Sequence, residues 1–109
     1  MAFDKQLADR IRPLFGDPYS VTEKKMFGGL AFMVNGYMCC GVSGNNLVVR
    51  TGPDAFEEAL SRPHARPMDF TGRPMKGFVY VAPEGYRKDS DLKAWIQWGL
   101  RFVLLQPPK

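Results

Sequence analysis

Asn35-Gly36 stands between two apolar runs, within MFGGLAFMVNGYMCCGV from Met26 to Val42, and no other dipeptide constrains the fold as strongly. Asparagine and glycine both tolerate positive φ, which a type I′ two-residue turn requires at its two central positions. The stretch therefore predicts a β-hairpin in which Val34 lies opposite Tyr37, Met33 opposite Met38, Phe32 opposite Cys39 and Ala31 opposite Cys40. Adjacent strand residues point to opposite faces. Cys39 and Cys40 are thus expected on opposite sides of the sheet, unable to share one metal ion or to bond readily to each other.

Both faces of this hairpin are apolar. Leu30, Phe32, Val34 and Tyr37, with Cys39 opposite Phe32, make one set; Ala31, Met33, Met38 and Cys40 make the other. Helices in a two-layer domain hide only one face, so a homodimer, another protein partner or a small-molecule cleft is expected on the remaining one. Leu30, Phe32, Val34, Tyr37 and Cys39 are the candidate interaction surface, and the pattern leaves open which set the helices cover. The paired glycines before the hairpin, Gly28-Gly29, read as a bend. A phosphate loop would lead into a helix N-terminus, whereas these lead into a strand.

Around the hairpin, Phe3, Leu7, Ile11 and Leu14 recur at helical spacing and predict an amphipathic helix from about Phe3 to Phe15, with Pro13 stopping or kinking it near Arg12. Ser43-Gly44-Asn45-Asn46 is a second tight turn, followed by a strand at Leu47 to Arg50. Gly52-Pro53 opens a short helix with Phe56, Ala59 and Leu60 on one side, ended by Arg62-Pro63. Strands at Arg66 to Phe70 and Gly77 to Val81 follow, and then a helix capped by Asp89 or Ser90 and running to about Leu105. Its stripe of Leu92, Trp95, Ile96, Leu100, Val103 and Leu104 is broad. Trp95 and Trp98, three apart, lie close on one side as core and rim. The expected order is α-β-β-β-α-β-β-α: an α+β fold of two layers with a mostly antiparallel five-stranded sheet.

A chain of 109 residues suits a single domain spanning 1–109, and a hydrophobic share of 45% against 24% charged is that of a folded protein. No run of about eighteen apolar residues is present, and charge interrupts the N-terminus where a secretion signal would be apolar, so no membrane association is expected. Two neighbouring cysteines without a disulfide framework fit a reducing cytoplasm. One histidine, His64, and two adjacent cysteines do not make a zinc ligand set, and no metal or cofactor is expected. Net charge is +4 and the pI about 9.3. The basic residues are scattered, and Arg66, Arg73 and Lys76 are the candidate basic patch, with Tyr37 and Phe70 as stacking partners. Nucleic-acid contact through them would be weak and insensitive to sequence. No nucleophile, base and orienter occur in a recognisable pattern, so a non-enzymatic interaction domain is expected. The alternative is a small-molecule binder or an enzyme using Cys39 or Cys40 with His64 or an arginine.

KKMFGGLAFMVNGYMCCGV and MDFTGRPMKGFVYV, in this order and linked by LVVR at Leu47, resemble the N-terminal domain of the TfoX/Sxy competence-regulator family over nearly the whole chain. The resemblance implies a two-layer domain of the secretion-chaperone-like type and a stand-alone family member. It also implies a role in transcriptional regulation of DNA uptake, which the family's longer members perform with the cyclic-AMP receptor protein and with a second, helical domain. It carries no catalytic residue onto this chain.

Overall fold

In the computed structural model, which describes residues 4–15, 21–26, 29–68 and 75–106, the elements are α1 (Lys5–Ile11), β1 (Val21–Met26), β2 (Gly29–Val34), β3 (Tyr37–Ser43), β4 (Asn46–Arg50), α2 (Phe56–Leu60), β5 (Ala65–Met68), β6 (Met75–Val81) and α3 (Asp89–Leu104). They form an α+β domain around one antiparallel sheet of six strands, in the order β1-β2-β3-β4-β6-β5. The strand absent from the sequence reading is β1. Its VTEKKM segment exposes both lysines at the sheet edge, where charge discourages edge-to-edge pairing and at the same time hides the apolar alternation by which strands are recognised.

Each α-helix follows its local chemistry. The Asp4 carboxylate caps α1, accepting from the backbone N–H of Gln6 at 2.9 Å and of Leu7 at 3.3 Å. At Pro13 the chain tightens into a 3-10 turn, Arg12–Leu14, as a proline that cannot donate to the preceding turn demands. Arg12 then holds the Glu23 carboxylate of β1 from Nε at 2.5 Å and Nη2 at 2.8 Å, and this grip keeps the Glu23 carboxyl below its usual range. Phe3 lies outside the described residues. Lys88 is the N-cap of α3 and makes no side-chain capping bond, so neither Asp89 nor Ser90 is the cap. Asp89 instead sits in the first turn, where its charge suits the helix dipole and accepts from Arg10 at 3.1 Å.

The Asn35-Gly36 turn forms with φ of 54° and 87°. Val34 pairs with Tyr37 and Met33 with Met38, as the turn dictates. Beyond them the register slips: Phe32 pairs with Cys40, Ala31 with Gly41 and Leu30 with Val42, leaving Cys39 as the extra residue of a β-bulge. The expected pairs Phe32–Cys39 and Ala31–Cys40 are therefore wrong, and so is the expectation that the cysteines face opposite ways. Both belong to the cluster packed beneath the helices.

That cluster is the main core. Leu30, Phe32, Val34, Cys39, Cys40, Val42, Leu47, Val49, Val79 and Val81 from the sheet meet Leu7 and Ile11 of α1, Ala59 of α2 and the buried stripe of α3. All three helices thus cover one face. The opposite face carries a smaller cluster of Ala31, Met38, Val48, Met68 and Tyr80, with Met33 and Phe78 partly buried against it. Arg66 lies over the Tyr80 ring at 5.0 Å and Arg50 over Phe78 at 5.4 Å. Such contacts spread aliphatic stem and guanidinium across apolar surface. Because Ala31 and Val48 are fully buried and Met38 and Tyr80 nearly so within the single chain, the reason for expecting a dimer on that face falls away.

Glycine is required where the backbones press together. A Cβ on Gly29 would stand 1.9 Å from the Val42 carbonyl oxygen, which explains the second of the paired glycines as a close approach of strands. Phe27 and Gly28 lie outside the described residues. At the far end of the sheet, the two-residue turn Gly44-Asn45 is pinned by the Tyr86 hydroxyl, which donates to the Asn45 carbonyl at 2.6 Å, while Gly44 accepts from the Asp4 N–H at 2.7 Å. Burial is the main reason the Tyr86 phenol pKa rises above its ordinary value. Tyr86→Phe is expected to cost about 1 kcal/mol in urea unfolding near neutral pH, the usual net worth of such a bond. Since the folded state keeps the phenol proton longer than the unfolded chain, this group's contribution is intact below the ordinary tyrosine pKa of about 10 and declines as pH rises past it. Tyr86→Phe removes that alkaline component.

A cleft between the second and third helices

Among the described residues, the side chains proposed from the sequence do not meet in a surface site. Leu30, Phe32, Val34 and Cys39 lie in the core beneath the helices, and Tyr37 is half-buried against the same cluster, so the candidate interaction surface is interior. Its apolar alternation marked the covered face. Of the basic candidates, Arg66 lies on the outer face over Tyr80, Arg73 is outside the described residues, and Lys76 is a β6 position whose side chain is likewise outside them. Phe70, the proposed stacking partner, is also outside.

The bulge gathers the two thiols on one side, where both are fully buried. Burial pushes the Cys40 thiol well above its ordinary range, and the neighbouring Cys39 thiol adds to this. A thiol held protonated under a helix is a poor nucleophile and a poor metal ligand. Among the described residues no group of three or more His, Cys, Asp or Glu side chains is placed to hold a metal ion. His64, the proposed partner of the cysteines, is exposed on the α2–β5 connection instead.

What the fold does build is an open cleft of about 670 Å³ between α2 and α3. One wall is a stripe of α3 at helical spacing: Asp91, Ala94 and Trp95, Trp98, Arg101 and Phe102, then Leu105 just past the helix end. The facing wall comes from Asp54, Ala55, Glu58 and Arg62, one side of α2 and its flanks. Two contacts set how the walls meet. Gly52, at φ 85°, lies so close to Phe102 that a Cβ there would stand 2.3 Å from the ring, and Arg62 lies over the Trp98 ring at 5.2 Å. The N-terminal side of α2 therefore faces the C-terminal part of α3.

The third edge is the turn Pro83–Gly85. Gly85 allows it to press on the α2–β5 connection, since a Cβ there would meet His64 Cβ at 3.1 Å and Val81 Cγ1 at 2.6 Å. His64 itself has φ 68° and its carbonyl accepts from Ala82 N–H at 2.9 Å. At the floor, Thr51 is buried, with its hydroxyl donating to the Gly77 carbonyl at 3.2 Å. Trp95 and Trp98 stack with centroids 5.4 Å apart and planes 12° from parallel, Trp95 buried and Trp98 half-exposed toward the cleft. This is the core-and-rim arrangement that their spacing predicts.

The sequence reading missed the cleft, but a signal was present. The apolar stripe of α3 is wider than one buried face requires: Leu92, Ile96, Leu100 and Val103 meet the sheet, while Trp98, Phe102 and Leu105 continue around the helix. Leu104, expected within the core stripe, is 43% exposed and Leu105 is 78% exposed, the two large apolar side chains left open among the described residues. Of the described helices, none is long and apolar enough to cross a membrane.

No curated protein and no solved structure matches the chain. A family model does, and its span takes in all six strands of the sheet together with α2 and all but the last residue of α3, so that the bulged hairpin and both walls of the cleft, Leu105 excepted, fall within it. The match, to the TfoX N-terminal domain, covers residues 13–103 of 109, and the chain belongs to that family.

Proposed function

We propose that the chain is a non-enzymatic recognition domain that receives a protein partner in the α2–α3 cleft, serving transcriptional regulation in the cytoplasm as the TfoX resemblance implies. The observation that carries this reading is the cleft itself: an open groove lined by a half-exposed tryptophan and charged side chains has the make-up of a binding surface. The competing reading, a cysteine-dependent enzyme, loses its nucleophile, because both thiols are sealed beneath α3 rather than lining the groove. The nucleic-acid reading loses support as well, since carboxylates outnumber guanidiniums along the groove and repel phosphate.

The test pairs substitutions on the two faces. Ala94→Arg, which fills the groove from an exposed helix position, is expected to abolish partner capture, whereas Lys24→Glu on the sheet edge leaves it intact. Sedimentation of the purified chain at high micromolar concentration decides whether that partner includes a second copy. Catalytic turnover in a broad substrate screen, lost on changing His64, would overturn the reading.

A further inference from the structure

The groove's charge is opposite in sign to that of the chain. Four carboxylates line it, those of Asp54, Glu58, Glu84 and Asp91, against the two guanidiniums of Arg62 and Arg101. Counting His64 as neutral, the lining carries −2 in a chain whose total is +4, so the rest of the chain carries +6. Among the described residues, none of the four carboxylates joins an ion pair; the salt bridges are those of Arg10 and Arg12 elsewhere. An acidic groove in a basic protein repels anions locally and attracts cations.

The aromatic wall adds chemistry of its own. The Trp98 ring is taken on both faces, by the stacked Trp95 ring and by the Arg62 guanidinium at 5.2 Å, so it holds Arg62 in place along the wall. Length sets the kind of ligand. From Asp91 to Leu105 the α3 wall runs roughly 20 Å at the rise of a helix, far beyond the reach of a single amine but matched by about six residues of extended chain. At its end the exposed Leu105 and the partly buried Phe102 offer an apolar seat.

We propose that the cleft is a docking groove for a basic peptide segment of a partner protein, with cationic groups facing Asp54, Glu58, Glu84 and Asp91 and an apolar side chain against Leu105 at the groove's end. This rests on the reading of the cleft as a recognition surface and adds the class of its occupant. The carboxylates steer and select by sign, and the apolar end at Leu105 sets the direction in which the segment lies.

Tryptophan fluorescence of the full chain, titrated with capped hexapeptides, tests it directly. One peptide carries two arginines and a terminal leucine, a second has glutamate in place of arginine, and arginine amide serves as the free cation. The arginine peptide is expected to bind, more weakly as ionic strength rises. The double variant Glu58→Gln, Asp91→Asn is expected to weaken it about tenfold or more and the single variant Leu105→Ser to weaken it as well, with unchanged thermal unfolding as the control for these exposed positions. Preference for the glutamate peptide overturns the proposed occupant while leaving the groove a recognition surface. Equal binding of arginine amide and peptide overturns it in favour of a small cation, and binding of none of the three overturns it outright.

Discussion

Phe32→Glu is expected to abolish cooperative folding, whereas Met33→Glu, one residue along the same strand, is expected to leave the chain folded. Phe32 is fully buried between sheet and helices, its ring 5.7 Å from that of Phe15. Removing a buried phenylalanine costs about 3–5 kcal/mol through lost burial and the cavity left behind. Placing an unpaired carboxylate there adds several kcal/mol more, and together these approach or exceed the roughly 5–15 kcal/mol by which domains of this size are stable. Met33 points to the other face, half-buried against the smaller cluster there and paired with Thr22 of β1, where a carboxylate reaches water. Its loss is expected to cost about 1–2 kcal/mol, within what the fold tolerates. Thermal unfolding followed by circular dichroism reads both: no transition for Phe32→Glu, and a single shifted one for Met33→Glu. Phe32→Leu, close in volume, keeps the transition and shows that charge, rather than the position alone, is what the core rejects. A cooperative Phe32→Glu would mean that this face is not the covered one.

The two-fold periodicity of the hairpin could say that both faces are apolar, but not which face the helices take, because the pattern is local and the covering layer comes from residues far along the chain. Turn chemistry was legible where glycine and asparagine leave few alternatives, at Asn35-Gly36 and at Gly44-Asn45. The same turn set the strand register only as far as Met33 and Met38. Beyond that, a bulge at Cys39 moved every later pair by one, and a bulge without a glycine signature leaves no mark in the sequence. The cleft was hidden for a different reason. Arg62 and Trp98 are ordinary surface residues in their own segments and become a site only when α2 and α3 are laid side by side across the sheet. What could be read was the surplus of the α3 stripe, one turn of apolar surface more than the core uses.

The bulge also decides how closely α3 can lie, and Gly99→Ala is expected to destabilise the chain although alanine is the better helix former. In an isolated helix the exchange gains up to about 1 kcal/mol. Here the new Cβ would stand 2.6 Å from the Cys39 carbonyl oxygen and 3.0 Å from its sulfur. The sulfur can turn aside; the carbonyl is main chain, fixed between Met38 and Cys40, which pair with Met33 and Phe32 of β2, and has far less room to move. The helix must lift instead, opening contacts along Leu92, Ile96 and Val103, and overpacking of this kind costs about 1–3 kcal/mol or more. A net loss of about 2 kcal/mol in urea unfolding is expected. The sign discriminates, since a gain would show that α3 does not rest on the bulge. Adding Cys39→Ala should recover part of the loss and no more, because it removes the sulfur contact and leaves the carbonyl contact in place, and the double-mutant cycle isolates that part. The wall that carries Trp98 adjoins this face, about 100° around α3 from Gly99. A helix lifted at Gly99 shifts that ring against Arg62, so Gly99→Ala should also weaken binding in the cleft without a single lining side chain having changed.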